Sequence, residues 1–284
     1  MTLDRRLYPA NARVAHASVA PPPSGVKIVE GTEMSIQVPV AAMRAEPAGS
    51  KDKELVFGDR VTVLEDHAGW SFCCDLADGY VGYVQMVYLG VASEPTHLLT
   101  ARTSHLYAQP DFKSEPLAEL SFGSKITVVS TDDRFCETVQ GRYLPKRHLA
   151  PLDAPRTDPI SIAKTFLQTP YVWGGNTGFG IDCSGLIQAV WHACGQTCPR
   201  DSDMQETALG HPLNDSEKLK TGDLVFWKGH VAMALDDTHI IHANAYHMNV
   251  AIEELETAKA RILDQGDGAV TSRRRDTRLF QTID

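Results

Sequence analysis

The 284-residue sequence predicts an α+β protein in which two small β-barrels precede a domain of helices and sheet. Three observations predict this: a repeat in the first half, a proline-bearing stretch after it, and a change to helical spacing beyond that stretch. Such a chain is about twice the commonest domain size, so it is expected to form two or three compact units. The predicted divisions are an extended N-terminal segment (1–30), two barrels (31–92 and 93–152) and an α+β domain (153–284).

The repeat consists of two segments that start 65 residues apart. Glu54–Val63 reads ELVFGDRVTV, and Glu119–Val128 reads ELSFGSKITV. Each copy continues through an acidic turn into an aromatic-Cys strand, and then into a short strand that contains tyrosine. Short strands separated by Gly and Asp turns are typical of small barrels. The pattern resembles bacterial SH3-like domains.

The second half begins after Pro151–Pro159, which predicts a linker because proline cannot continue a helix or a central strand. Residues 160–168 then have helical spacing, and residues 182–194 predict a second helix that ends at Gly195. From Asp223 onward the pattern is strand-like. Helices followed by an antiparallel sheet predict an α+β domain.

Charge and hydropathy argue against nucleic acid and membrane partners. The chain has 27 Lys and Arg against 36 Asp and Glu, a formal net charge of −9 that repels phosphate backbones and anionic lipid. No apolar run approaches the ~20 residues of a membrane span. Asp4, Arg5 and Arg6 interrupt the apolar stretch that a secretory signal requires, so the protein is expected in the cytoplasm.

The cysteines are too widely spread for the dense disulfide framework of small secreted domains, so we expect reduced thiols. They are Cys73, Cys74, Cys136, Cys183, Cys194 and Cys198. The spacing of His192, Cys194 and Cys198 is loose for zinc, and no second pair completes four ligands. The sequence therefore predicts neither a metal nor an organic cofactor.

Cys183 is the candidate nucleophile because it stands at the first turn of a predicted helix. Asp182 can cap that helix, and the unpaired N–H groups of the first turn favour a thiolate and can hold a developing oxyanion. We therefore expect a lowered pKa at Cys183. Taken alone, the residue would favour an inert buried thiol, because most cysteines are core residues without a reactive role.

A predicted hairpin supplies the candidate base. If the chain turns about residue 236, His230 and His242 lie directly opposite each other on one face of the sheet. His230 would then act as the base, and His242 would fix its tautomer and orientation. The alternative is a pair of surface histidines without a role. His239 and His247 have no matching placement, and we expect both at the surface.

Five short blocks follow one another between residues 158 and 284. They are Pro170–Gly175 (PYVWGG), Asp182–Leu186 (DCSGL), Gly222–Phe226 (GDLVF), Gly229–Val231 (GHV) and His242. Together, and in this order, they resemble the NlpC-type family of bacterial cell-wall cysteine peptidases. The resemblance implies a papain-like cysteine peptidase fold with Cys183 as nucleophile, His230 as base and His242 as the orienting residue.

The combination with two SH3-like domains is similar to the recycling branch of that family, endopeptidases that cut murein peptides between γ-D-glutamate and the diamino acid. The resemblance implies a murein tripeptide or tetrapeptide substrate with a free N-terminal L-alanine. It assigns recognition of the ammonium group to Glu46, Tyr80 and Asp182. It assigns the α-carboxylate of D-glutamate to Ser184 and Ser202.

Two other functions stay open at this stage. One is a thiol amidase or acyltransferase that uses the same three residues on another substrate. The other is a wall-peptide binding module whose last domain is catalytically inactive. The sequence also leaves open whether the diamino acid is meso-diaminopimelate or lysine, and which oligomeric state the protein adopts.

Overall fold

A computed structural model describes residues 3–214 and 216–280. The chain divides into two compact units. The first takes the N-terminal residues through Leu99 and then Thr103–Leu149, and the second takes Thr100–Arg102 and the chain from Ala150 onward. The first SH3-like copy and most of the second therefore belong to one unit, and the α+β domain belongs to the other.

The N-terminal segment, predicted to be extended, contains a 3-10 turn (Arg5–Leu7) and two short strands. Strands β1 (Val14–His16) and β2 (Lys27–Val29) pair in parallel. Val14 is buried against Leu64 and Phe72, so this segment adds apolar contacts to the first SH3-like copy.

The first SH3-like copy is a seven-stranded antiparallel sheet with the order β5-β4-β8-β7-β6-β3-β9. Alternate residues such as Met43, Leu55 and Cys73 point into its core, as the twofold period of a strand requires. A 3-10 turn, Met86–Tyr88, precedes the last strand. The strands are β3 (Thr32–Ile36), β4 (Val40–Arg44), β5 (Lys51–Val56), β6 (Arg60–His67), β7 (Trp70–Asp75), β8 (Val81–Gln85) and β9 (Leu89–Val91).

The second copy has the same succession of strands, split into a ladder β12-β11-β16-β15-β14 and a ladder β13-β10-β17. The split falls at Thr127, between β13 and β14. A 3-10 turn, Lys146–His148, again precedes the last strand. The strands are β10 (His97–Leu99), β11 (Thr103–Tyr107), β12 (Pro116–Ser121), β13 (Lys125–Ile126), β14 (Val128–Thr131), β15 (Phe135–Thr138), β16 (Tyr143–Pro145) and β17 (Leu149–Pro151). The repeat in the sequence is therefore a repeat of topology.

Contacts between the repeated segments join the two copies. The amide of Lys125 donates to the carbonyl of Phe57 at 2.8 Å, and its ammonium group pairs with Asp59. All three residues lie within the segments that identified the repeat.

The α+β domain is built on a six-stranded antiparallel sheet with the order β20-β25-β21-β22-β23-β24. Helix α2 packs against β22 and β23, and one face of the sheet packs against α4 through Trp227, Ile240 and Ile262. The strands are β18 (Asn176–Thr177), β19 (Gly180–Ile181), β20 (His211–Pro212), β21 (Leu224–Trp227), β22 (His230–Ala234), β23 (His239–Asn244), β24 (Asn249–Glu254) and β25 (Ser272–Arg275). The helices are α1 (Pro159–Thr165), α2 (Cys183–Ala193), α3 (Ser202–Ala208) and α4 (Leu255–Asp264), with a 3-10 turn at Thr277–Phe280.

Local signals explain where the first two helices begin and end. Asp158 caps α1, and Pro159 occupies its first position, where no N–H is needed. Asp182 caps α2, and Gly195 follows the helix with a φ of +71°, which glycine tolerates. Helix α4, inside the region predicted to be strand-like, was not predicted.

The helices of the α+β domain are short and partly charged. Over residues 3–214 and 216–280, no helix has the combined length and apolarity that crossing a membrane requires.

Candidate active site

Cys183 is the first residue of α2, and the structure fixes that helix end closely. The Asp182 side chain accepts a hydrogen bond from the amide of Gly185 at 2.7 Å. A Cβ at position 185 would lie 2.3 Å from the carbonyl oxygen of Gly175, so only glycine permits this approach. The start of α2 is therefore held against the loop that precedes it.

The Cys183 sulfur lies against the backbone on both sides of His230. It is 4.0 Å from the carbonyl oxygen of Gly229, and the amide of Val231 also interacts with it. Burial raises the pKa of Cys183 to about 12, and Asp182 adds to the rise, although the amides of Val231 and Ser184 oppose it. The lowered pKa expected from the helix N-terminus was wrong, because loss of hydration outweighs those N–H groups.

A tight hairpin places His230 at the start of β22. Trp227 pairs with His230 across a two-residue turn, Lys228 and Gly229, in which Gly229 has a φ of +74°. The two rings lie 5.6 Å apart between centroids. Burial, together with the neighbouring His242 and Arg261, lowers the pKa of His230 to about 3, so its imidazole is neutral at physiological pH.

His230 and His242 are in hydrogen-bond contact, with 2.9 Å between His230 Nε2 and His242 Nδ1. Their register differs from the prediction. Met233 pairs with Ile241, so the hairpin turns about residue 237 and the two histidines are diagonal neighbours. The Asp236 side chain accounts for the difference. It accepts hydrogen bonds from the amides of Thr238 and His239, and these bonds stabilise a longer turn. A shift of two positions keeps both rings on the same face.

Two residues that sequence reasoning missed continue the chain of contacts. Glu253 lies on β24, two residues beyond Ala251, which pairs with His242. Its Oε2 is 3.2 Å from His242 Nε2 and 2.7 Å from Arg261 Nη2. The alternation of β24 places Glu253 on the face of His242, so a predicted hairpin between β23 and β24 would have found it.

Asp182 has a buried partner, Arg200, that the sequence did not indicate. Arg200 is 1% exposed and donates to both carboxylate oxygens of Asp182, at 2.6 and 3.0 Å, and to the Ser184 hydroxyl at 2.7 Å. The amides of Gly174 and Gly185 also donate to this carboxylate. An ionised carboxylate has about four lone-pair positions, so these bonds fill the acceptor capacity of Asp182.

The other residues assigned to substrate binding lie in both units. In the N-terminal unit, Glu46 is exposed in the turn between β4 and β5, and Tyr80 is 2% exposed within the core of the first copy. In the α+β domain, Ser184 and Ser202 are both buried, at the first turns of α2 and α3. His239 and His247 are exposed, as predicted.

A cleft of about 180 Å³ opens beside His230. His230, Tyr171 and Arg261 line it, and so does Tyr246, whose ring lies 4.4 Å from the Arg261 guanidinium carbon. Burial and the neighbouring Cys183 raise the pKa of Tyr171, so its phenol stays protonated and can donate a hydrogen bond near the sulfur. Tyr171 belongs to the Pro170–Gly175 block, and the sequence predicted no role for it.

One group of side chains has the spacing of metal ligands. Ligand atoms of His242, His247 and Glu253 lie within 4.8 Å of one another. Each of the three already has a hydrogen-bond partner. His242 contacts His230, Glu253 accepts from Arg261, and His247 contacts Asn244. The cationic Arg261 on the same carboxylate opposes a second cation. The donor set therefore fits a hydrogen-bond network better than a metal.

Two family models match parts of the chain. The NlpC/P60 family matches residues 168–262, and the bacterial dipeptidyl-peptidase Sh3 domain matches residues 43–87. The first match contains Cys183, His230 and His242, and the second contains Glu46 and Tyr80.

Several curated proteins are similar over most of the chain. A gamma-D-glutamyl-L-lysine dipeptidyl-peptidase of Bacillus cereus is 30% identical over 244 residues, which cover 74% of this chain and 72% of that protein. Dipeptidyl-peptidase 6 of Lysinibacillus sphaericus is 27% identical, over 72% of this chain and 83% of that protein. The crystal structure of an NlpC/P60 family protein from Bacillus cereus superposes with a TM-score of 0.74 at 23% identity, covering 86% of this chain and 99% of that one. That superposition shows a shared fold.

Proposed function

This chain is a cysteine peptidase of the NlpC/P60 family, and we propose that it hydrolyses the bond between γ-D-glutamate and the diamino acid in murein peptides with a free N-terminal L-alanine. The observation that carries the proposal is the position of the Cys183 sulfur against Gly229 and Val231, the two neighbours of His230. His242 holds the other side of the His230 ring at 2.9 Å. Nucleophile, base and orienting residue thus form one contiguous group.

In the first half of the reaction, Cys183 attacks the γ-carbonyl carbon. Both groups are neutral at rest, because burial raises the pKa of the Cys183 thiol and lowers that of His230. The thiol proton therefore passes to His230 as the carbon–sulfur bond forms. The carbonyl oxygen gains negative charge, which N–H groups at the start of α2 can stabilise.

In the second half, the protonated His230 gives its proton to the leaving amine of the diamino acid, and the carbon–nitrogen bond breaks. Water then attacks the thioester while His230 takes a proton from it. The carbon–sulfur bond breaks, and the thiolate of Cys183 recovers its proton. Throughout, His242 Nδ1 accepts the hydrogen bond from His230 Nε2 and stabilises the imidazolium state.

The names of the relatives support this substrate class. Two similar proteins, from Bacillus cereus and Bacillus subtilis, are gamma-D-glutamyl-L-lysine dipeptidyl-peptidases. A dipeptidyl-peptidase removes two residues from a free amino terminus, which agrees with an N-terminal L-alanine followed by γ-D-glutamate. Release of such fragments from degraded wall peptides is the recycling role that we propose.

Residue roles in substrate binding extend the proposal. We assign the substrate ammonium group to Glu46 and Tyr80 together with Asp182, and the D-glutamate carboxylate to Ser184 and Ser202. Ser184 and Ser202 stand at the first turns of α2 and α3, where unpaired N–H groups favour an anion, and this supports the second assignment. For Asp182 the first assignment rests on the family resemblance alone, because its oxygens already accept five hydrogen bonds.

The proposal is tested by mass spectrometry of L-Ala-γ-D-Glu-diaminopimelate and of the lysine peptide, each with a free or an acetylated alanine nitrogen. We expect cleavage of the free peptides only, and none with Cys183→Ala. Cleavage of free and acetylated peptides alike would remove the ammonium roles of Glu46 and Tyr80 but keep the peptidase. If no peptide is cleaved while other amides or esters are, the protein is a thiol amidase or acyltransferase. Binding without any turnover would identify a wall-peptide binding module.

A further inference from the structure

A carboxylate and a guanidinium extend the histidine pair beyond His242. His242 is fully buried, and its Nε2 lies 3.2 Å from Glu253 Oε2. Arg261 donates to both Glu253 oxygens, from Nη2 at 2.7 Å and from Nε at 3.2 Å. The side chain of Glu253 is 9% exposed and that of Arg261 is 14% exposed. His230, His242, Glu253 and Arg261 therefore form one continuous line of polar contacts.

Each contact in this line has a defined direction. An ionised carboxylate can only accept hydrogen bonds, so His242 Nε2 must carry a proton and donate it to Glu253. A neutral imidazole has one N–H, so His242 Nδ1 then has a lone pair and accepts from His230 Nε2. The proton of His230 is thus on Nε2, and its Nδ1 has the lone pair. Among the described residues, His230 Nδ1 has no hydrogen-bond partner.

We propose that Glu253 sets the tautomers of both histidines, and that Arg261 keeps Glu253 ionised so that His230 always presents an unprotonated Nδ1 to the thiol of Cys183. Both residues are positioning residues, since they act through His242. The proposal rests on the proposed function for the roles of Cys183 and His230, but the tautomers themselves are properties of the fold.

The electrostatics of the site agree with this direction. Burial alone would raise the pKa of Glu253, but the hydrogen bonds from His242 and Arg261 outweigh it and lower the pKa to about 2. Glu253 therefore remains an acceptor over the whole range in which the protein is expected to work. When His230 takes the thiol proton, the hydrogen bonds keep their direction, and no second proton has to move.

The reverse arrangement would block catalysis. If the group at position 253 donated to His242 Nε2, His242 Nδ1 would carry the proton and donate it to His230 Nε2. His230 Nδ1 would then carry a hydrogen and could not take one from Cys183. Glu253→Gln creates this possibility with little change in shape, because the side-chain amide can donate. Arg261 contacts both oxygens of Glu253, so the amide NH₂ of this variant faces an Arg261 donor in either orientation, and with the NH₂ at the Oε2 position it donates to His242.

The direct test is long-range ¹H–¹⁵N correlation NMR of the imidazole rings in the full chain without substrate. We expect His230 and His242 both in the Nε2–H form in the wild type, and a protonated Nδ1 on His242 in Glu253→Gln. An Nδ1–H tautomer of either ring in the wild type would overturn the proposal, even if the variant fails to fold. Because no substrate is present, failure of the murein-peptide reaction would leave this result standing.

Kinetics supply the second readout. We expect Glu253→Gln to lower kcat roughly 100-fold with KM unchanged, by comparison with other residues that orient a catalytic group through a neighbour. Glu256→Gln is the matched control, because Glu256 lies on the adjacent helix with a 70% exposed side chain and, within residues 3–214 and 216–280, forms an ion pair with Lys259 alone. Equal kcat values for the two variants would overturn the proposal, as would a Glu253→Gln defect confined to KM.

Discussion

The buried ion pair between Arg200 and Asp182 gives the prediction that depends most directly on the structure. Replacing Arg200 with methionine keeps most of the side-chain volume but removes the donors to both oxygens of Asp182 and to Ser184. The Asp182 carboxylate, which is 7% exposed, would then be a buried charge without a counter-ion. Removing one partner of a buried ion pair destabilises a protein by about 3–5 kcal/mol.

Two amides still donate to Asp182 in that variant, from Gly174 and Gly185, so the lower part of this range is the better expectation. For a domain of this size, about 2–4 °C of Tm corresponds to each kcal/mol, which gives a fall of about 6–20 °C. Differential scanning calorimetry of the full chain would follow the transition of the α+β domain. Lys259→Met is the control, because its ion pair with Glu256 is exposed and contributes only about 0–1 kcal/mol.

A double variant, Arg200→Met with Asp182→Asn, isolates the electrostatic part of the effect. It removes the stranded charge, so we expect it to melt above the single Arg200→Met variant. If Arg200→Met had the same Tm as the wild type, the reasoning would be refuted, because the ion pair would then contribute nothing to stability. Simple additivity of the two changes would refute it as well, because the destabilisation would then come from lost packing.

Further predictions concern the catalytic residues. His242→Ala should lower kcat by about 10²–10⁴-fold, because His230 loses the group that fixes its tautomer, whereas the exposed His239→Ala should have no effect; equal rates would contradict this role. The value of kcat/KM should stay constant as the pH falls from 7 to 5, because burial and His242 lower the pKa of His230 to about 3 and the base loses its lone pair only near that pH; an acid limb centred near 6.5 would contradict it. Glu46→Gln should raise KM for a peptide with a free amino terminus. The control Glu30→Gln, at another exposed glutamate, should have the KM of the wild type. An unaltered KM in Glu46→Gln would exclude the ammonium role.

Short-range signals made the positions of Cys183 and His230 in the fold predictable from sequence. Asp182 before Cys183 identifies a capped helix start, and the Lys228–Gly229 turn lies directly before His230. The hairpin prediction placed the right two histidines on one face although its register was wrong by two positions, because a strand repeats every two residues. The prediction therefore tolerated an error in the length of the turn.

The residues that the sequence did not reveal depend on contacts between distant segments. Arg200 follows the helix that it stabilises, and Arg261 reaches Glu253 from a helix that was not predicted. Charged residues are usually solvent-exposed, so composition alone gives no reason to expect them inside a domain. The direction of the Cys183 pKa was missed for a related reason, since burial depends on the assembled fold.

The two SH3-like copies differ at the positions of Glu46 and Tyr80. When the copies are aligned on the bridges that join β4 to β8 and β11 to β16, Glu46 and Tyr80 correspond to Gln109 and Gln140. On the same scaffold, the first copy therefore carries a carboxylate and a phenol where the second carries two neutral amides. A chain in which Glu46 and Tyr80 are exchanged for their glutamine counterparts would show what the first copy contributes beyond its shape.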